Sequence, residues 1–127
     1  MTTQAIIDVI DDNSDIRRML ELVLTANGFN VRTHESAQTF LGTQRSAEPR
    51  LLILDVRMPG MTGPELYSRL RDQGENYPVI FMSGECLPHE TVNILSSKPI
   101  AFLWKPFNTQ RLLEAIEQGF KQLAMTS

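Results

Sequence analysis

Most of what would tie this chain to a membrane, a nucleic acid or an oxidising compartment is missing from it. A single cysteine, Cys86, stands among 127 residues. No internal disulfide can form, which fits a reducing cytosol. No apolar run approaches the roughly 20 residues needed to cross a bilayer. The opening "MTTQAIIDVIDDN" puts acids where a secretory signal needs a basic start and a clean apolar stretch. Twelve Lys and Arg stand against fifteen Asp and Glu, for a net charge of -3, and no basic run exceeds Arg17-Arg18. Nothing here makes a footprint for nucleic acid or an anionic membrane. Internal repeats, low-complexity segments and linkers are also lacking. What remains is 42% hydrophobic and 21% charged, an ordinary globular balance. The length suits one domain over 1–127, with a core about 5–123, able to bury roughly two-thirds of its unfolded surface.

Short apolar runs alternate with helical patterns. Ala5–Ile10, Asn30–His34, Leu51–Asp55, Val79–Ser83 and Ile100–Trp104 read as strands. Ile16, Met19, Leu20, Val23 and Leu24 recur at helical spacing after a capping Asn13 or Ser14, and Asn27-Gly28 supplies a left-handed stop. Ala37, Phe40 and Leu41 suggest a short second helix. Thr62 and Glu65 have capping-box spacing for a third, with Pro64 in its first turn. A weak fourth lies around Pro88 to Ser97, and a fifth runs from Asn108 with Leu112, Leu113, Ile116 and Phe120 on one face. Strands alternating with helices imply right-handed crossovers, hence a five-stranded parallel sheet with helices on both faces.

In such sheets, sites form beyond the carboxyl ends of the strands. There the sequence puts Asp11 and Asp12, then Asp55, Ser83 and Lys105. Three carboxylates close together repel one another unless a cation compensates, and hard oxygen ligands suit Mg²⁺. Metal and ammonium would offset the charge of a phosphoryl group, and the hydroxyl would hold its oxygens. A carboxylate nucleophile forming an acyl phosphate is a known route. The set is equipped for phosphoryl transfer onto Asp55.

With Asp11-Asp12, "LDVRMPGMTG" around Asp55, "SGE" at Ser83 and "FLWKPF" ending in Lys105-Pro106-Phe107 in this order, the chain resembles a response-regulator receiver domain. The stretch "NGFNVRTHESAQTFL" further resembles receivers that precede a helix-turn-helix output in transcriptional regulators; no output domain is expected here. The resemblance implies flavodoxin-like topology and a phosphorelay switch. Asp55 matches the phosphoacceptor, Asp12 a direct Mg²⁺ ligand and Asp11 its mostly water-mediated neighbour, with the backbone carbonyl of Arg57 completing the ligands. Ser83 matches the switch hydroxyl, Lys105 the phosphate-binding lysine and Phe102 the aromatic that turns inward. The implied partner is a sensor histidine kinase or phosphotransfer protein. Phosphorylation is expected to switch the surface formed by the fourth helix, fifth strand and fifth helix, and a homodimer is a further expectation, though not one tied to that face. So is a cytoplasmic protein that catalyses its own phosphorylation and slow dephosphorylation, and acts on no outside substrate.

Each residue also has a duller reading. Asp11-Asp12 can begin a helix, Ser83-Gly84 can mark a turn, and Lys105 can be a solvated loop lysine. Those readings lose by coincidence, because all must hold at neighbouring strand ends. Phe102 shares a face with Ile100 and Trp104 by alternation and could be partial core. His34 and His89 lack partners at metal-ligand spacing and read as surface or loop residues. Cys86 reads as a spectator, and Met58 and Met61 as packing for their loop. Arg57 and Glu85 rim the site, where an exposed pair between them would contribute about 0–1 kcal/mol. A phosphohydrolase of the haloacid-dehalogenase kind needs an aspartate where Arg57 stands. A pseudo-receiver without phosphorylation usually lacks an acid or the lysine. A flavin phosphate would be repelled by "DDNSD". Finally, "SSKPIAF" departs from the small residue and glycine usual before the last strand; Pro99 biases Lys98 toward extended backbone, and with Pro88 it predicts a short or displaced fourth helix.

Overall fold

The computed structural model describes residues 5–85 and 88–126, so Cys86 lies outside the described residues. Ten elements alternate along the chain. They are β1 (Ile6–Ile10), α1 (Ser14–Ala26), β2 (Asn30–His34), α2 (Ala37–Leu41), β3 (Arg50–Asp55), α3 (Gly63–Asp72), β4 (Val79–Ser83), α4 (Pro88–Ser96), β5 (Ala101–Trp104) and α5 (Thr109–Thr126). All strand pairs are parallel, and their order is β2-β1-β3-β4-β5. The order therefore reverses beside β1, and β2 and β5 are the edges. This is the doubly wound, flavodoxin-like topology expected from the sequence.

Aliphatic runs put β1, β3 and β4 in the centre because every residue there has a buried face to fill. Alternation then sorts side chains onto two cores. Ile7, Val9, Ile53 and Met82 meet Leu20 and Leu24 of α1 and Leu112 and Ile116 of α5. Ile10, Leu52, Leu54 and Phe81 meet Phe40 of α2, Leu66 and Leu70 of α3, and Ile94 of α4.

Helix boundaries follow from satisfied end groups. Asn13, rather than Ser14, caps α1 by accepting from the N–H groups of Asp15 and Ile16; beyond the helix, Gly28 takes a φ of 86°. Thr62 and Glu65 form the expected capping box of α3. The Asn108 side chain accepts from Gln110 and Arg111 at the start of α5.

Two expectations are corrected here. Ile100 precedes β5 and packs with the α1/α5 core, whereas Phe102 packs on the opposite side, so the two do not share a face. Lys98 is not extended but left-handed, at φ 59°. Its N–H closes the end of α4 on the Leu95 carbonyl at 3.0 Å, and two residues later the Ile100 N–H must reach the Val79 carbonyl at 2.8 Å. The helix-closing bond and the longer-range one to β4 together override the local bias that proline exerts on the residue before it. As expected from its flanking prolines, α4 is short, and Ile94 is its one buried residue among those described.

Candidate functional site

Parallel strands of matched length bring their carboxyl ends to one edge, with Ile10 opposite Leu54, Asp55 opposite Met82 and Ser83 opposite Trp104. Asp11 and Asp55 are both buried there. Asp12 is exposed beside them, and the three residues offer carboxylate oxygens within 4.8 Å of one another. From the far strand, Lys105 reaches in. Its Nζ donates to Asp11 Oδ2 at 2.8 Å and to Asp55 Oδ1 at 3.2 Å. Its own N–H donates to the Ser83 carbonyl at 2.8 Å, which fixes the lysine against β4; the following Lys105–Pro106 peptide is cis.

The floor is built as tightly. The N–H of Asn13 donates to Asp11 Oδ1 at 2.9 Å, and an Arg17 guanidinium nitrogen donates to the Asp11 carbonyl at 2.8 Å. Gly63 has no side chain for a reason specific to this loop: a Cβ there would lie 2.3 Å from the Asp55 carbonyl oxygen. The start of α3 can therefore close onto the acceptor turn, with the Gly63 N–H on the Val56 carbonyl at 3.1 Å. Met58 is buried in that loop and Met61 packs beside it, as expected.

Charge in the crevice is out of balance. Burial, then the Asp11 charge, push the Asp55 carboxyl up to about 7 against the opposing pull of Lys105. Burial works against the Lys105 ammonium, yet its bond to Asp11 and the charges of Asp11 and Asp55 hold it above its ordinary value. Three carboxylates face one ammonium, leaving an excess of two negative charges when all are ionised. Hard oxygen donors with that surplus fit a divalent cation of the Mg²⁺ kind.

Not every residue singled out in the sequence points into the crevice. The Ser83 hydroxyl donates instead to the Glu85 carbonyl at 2.6 Å, and the Glu85 N–H returns to it at 3.1 Å. Phe102 is half-buried, edge-on to Trp104 with ring centroids 5.1 Å apart. Arg57 and Glu85 both lie exposed at the rim, but they do not pair through their side chains. The Arg57 Nε donates to the Glu85 carbonyl at 3.2 Å, and its charge partner is the Glu90 carboxylate on α4. Glu90 wins because it rises from the helix facing the loop, a position that no residue spacing discloses.

His34 is not the surface or loop residue that its lack of metal-ligand spacing suggests. Its ring packs edge-on against Phe40, and its Nε2 lies 2.7 Å from Asp8 Oδ1. Asp8 in turn pairs with Arg50, and both are buried. A carboxylate in the middle of the apolar run "IIDVI" was the available signal for this cluster. His89 is exposed.

Fold and crevice together define a class: the chain belongs to the response regulator receiver domain family, which matches residues 7–117. Receiver domains bind Mg²⁺ at an acidic site and act with histidine kinases or phosphotransfer proteins in two-component signalling. Among curated proteins, the chain is 34% identical to the transcriptional regulatory protein FixJ of Rhizobium meliloti (strain 1021), over 95% of this chain and 59% of that protein. It is 32% identical to the response regulator protein TodT of Pseudomonas putida, over 92% of this chain and 52% of that one. The chain thus spans little more than half the length of these relatives. Solved structures agree: the response regulator StyR superposes with a TM-score of 0.89 at 37% identity, over 97% of this chain and 62% of that one. FixJ-N superposes at 0.83 and 34% identity, over 94% of each chain. No helix among the described residues is long and apolar enough to cross a membrane.

Proposed function

We propose that this chain, as one receiver domain over 1–127, takes a phosphoryl group from the phosphohistidine of a sensor kinase or phosphotransfer protein onto Asp55. The observation that carries the reading is the Lys105 ammonium bridging Asp11 and Asp55 in a buried crevice at the point where strand order reverses. Asp11, Asp12, Asp55 and the backbone carbonyl of Arg57 would hold Mg²⁺, which supplies positive charge against the phosphoryl oxygens.

A carboxylate oxygen of Asp55 attacks phosphorus in line with the donor nitrogen. The O–P bond forms as the N–P bond breaks, and the departing imidazole nitrogen keeps the electron pair and takes a proton from water. Lys105 is placed to follow the new charge, exchanging its carboxylate partners for a phosphoryl oxygen. Slow hydrolysis returns Asp55 and inorganic phosphate. Ser83 would turn its hydroxyl from the Glu85 carbonyl to the phosphoryl group, and Phe102 would follow it inward. The altered surface is that of α4, β5 and α5, where Val92, Leu95 and Trp104 are exposed and could seat a partner or a second copy of the chain.

The test is intact mass after incubation with Mg²⁺ and acetyl phosphate. Wild type should gain one phosphoryl group and Asp55→Asn none. A gain in both would move the acceptor elsewhere. No gain in either, with folding verified, would replace this reading with a pseudo-receiver, a protein-interaction module without phosphorylation.

A further inference from the structure

Two residues past Asp55, the Arg57 side chain leaves the acceptor loop and reaches the β4–α4 connection and α4. There it makes two bonds, one to the Glu85 carbonyl in the β4–α4 connection and one to the Glu90 carboxylate in the first turn of α4. The Glu85 carbonyl is also the acceptor of the Ser83 hydroxyl. One oxygen therefore joins the acceptor loop to the switch hydroxyl, and one guanidinium joins both to α4.

Only Ile94 is buried among the described side chains of α4, and a cavity of about 740 Å³ separates that helix from α3, lined by Arg57, Tyr67, Glu90, Asn93 and Ile94. Across this gap the Tyr67 hydroxyl donates to the Ser97 carbonyl at 3.3 Å, just beyond the helix. A serine hydroxyl has one proton to donate. To bond a phosphoryl group it must leave Glu85, and Arg57 keeps the Glu85 carbonyl where Ser83 finds it.

We propose that Arg57 is a positioning residue that straps the β4–α4 connection and α4 in the unphosphorylated arrangement, so that loosening the strap favours the phosphorylated one. This rests on Asp55 being the phosphoacceptor. Its energetic form is a tax on activation. A ligand that selects the rearranged state binds more weakly in proportion to how well the resting state is held. Cutting the strap at its Glu90 end reduces the tax without altering any residue of the crevice.

The test is a titration with beryllium fluoride, a phosphoryl mimic, in saturating Mg²⁺. It is read by fluorescence of Trp104, the single tryptophan, opposite Ser83 and against Phe102. Glu90→Gln, which leaves the crevice intact, and Arg57→Gln should each bind roughly three- to tenfold more tightly, the size expected of a partly exposed ion pair and its companion hydrogen bond. The double variant should bind no more tightly than Arg57→Gln. Arg57→Lys, and the exchange of the two charges in Arg57→Glu/Glu90→Arg, should each return toward wild type. Affinity for Mg²⁺ alone should not change in Glu90→Gln, because that side chain touches no carboxylate of the crevice. If wild type responds and both single variants match it or bind more weakly, the strap is overturned and the phosphoacceptor reading stands. A wild type that does not respond overturns both.

Discussion

At the carboxyl ends of β1 and β3, Asp11 and Asp55 share one ammonium with Asp12 beside them, whereas inside the same sheet Asp8 is enclosed by the Arg50 guanidinium and the His34 ring. The second cluster is neutral when His34 is uncharged, and Arg50 also donates to Ser46 at 3.3 Å. Among buried side-chain nitrogen and oxygen atoms of the described residues, only the Arg50 Nε lacks a partner. The first cluster keeps a surplus of two negative charges and a carboxyl pushed up to about 7. Burial alone therefore does not mark a functional site, since Asp8 is as buried as Asp11. The distinguishing property is whether the protein itself completes the charge. The inner cluster is closed and serves the fold; the outer one is left open, which suits it to a cation and a phosphoryl group.

The sharpest way to break the contrast is to open the closed cluster. Arg50→Met leaves Asp8 buried without its guanidinium and should destabilise the protein by about 3–5 kcal/mol, read by urea denaturation. Adding Asp8→Val to that variant should recover most of the loss, because no buried charge remains. An Arg50→Met variant as stable as wild type would mean that water already reaches Asp8.

In the open cluster, removing a carboxylate should have the opposite sign. Asp55→Asn relieves burial of a charge and repulsion from Asp11, so in a chelator it should stabilise the fold by about 1–3 kcal/mol in the same denaturation experiment. Mg²⁺ at ten times its dissociation constant should stabilise wild type by about 1.4 kcal/mol. Asp55→Asn should gain less from the ion, and Asp8 variants should gain as much as wild type. Destabilisation by Asp55→Asn without metal would show the crevice to be as self-sufficient as the inner cluster.

The smallest effect lies in a third, more exposed pair, Arg45 and Glu75, at 2.5 Å. Its bond to Arg45 holds the Glu75 carboxyl below its ordinary value of 4.5. A lowered folded-state value contributes stability that is present above pH 4.5 and lost as pH falls through the lower value. Glu75→Gln should flatten that acid limb, at a cost of about 0–1 kcal/mol near neutrality, measured by thermal unfolding across pH. An unchanged limb would assign acid sensitivity to other carboxylates.

Much of the site was legible because its residues sit at the ends of unmistakable strands. Asp55 closes an aliphatic run, Asp11-Asp12 another, and alternation with helices forces the parallel sheet that gathers them. The capping box of Thr62 and Glu65 is equally local. The place of Arg50 in β3 is not legible, since a charge before "LLILD" looks like a boundary until a buried acid 42 residues earlier supplies its partner.

By itself the sequence determined the order and type of the elements, the parallel sense of their pairing and the set of groups at the strand ends, all of which follow from periodicities of two and 3.6 and from chain connectivity, while the strand order was implied only by the family resemblance. The tertiary structure alone decided which charges are answered. It turned His34 inward to Asp8, sent Arg57 to Glu90 rather than to the Glu85 side chain, engaged Ser83 with its own loop and gave Lys98 the left-handed turn that proline argues against. Those outcomes depend on distances between residues far apart in the chain, and electrostatic and hydrogen-bond energies are set by such distances rather than by residue type.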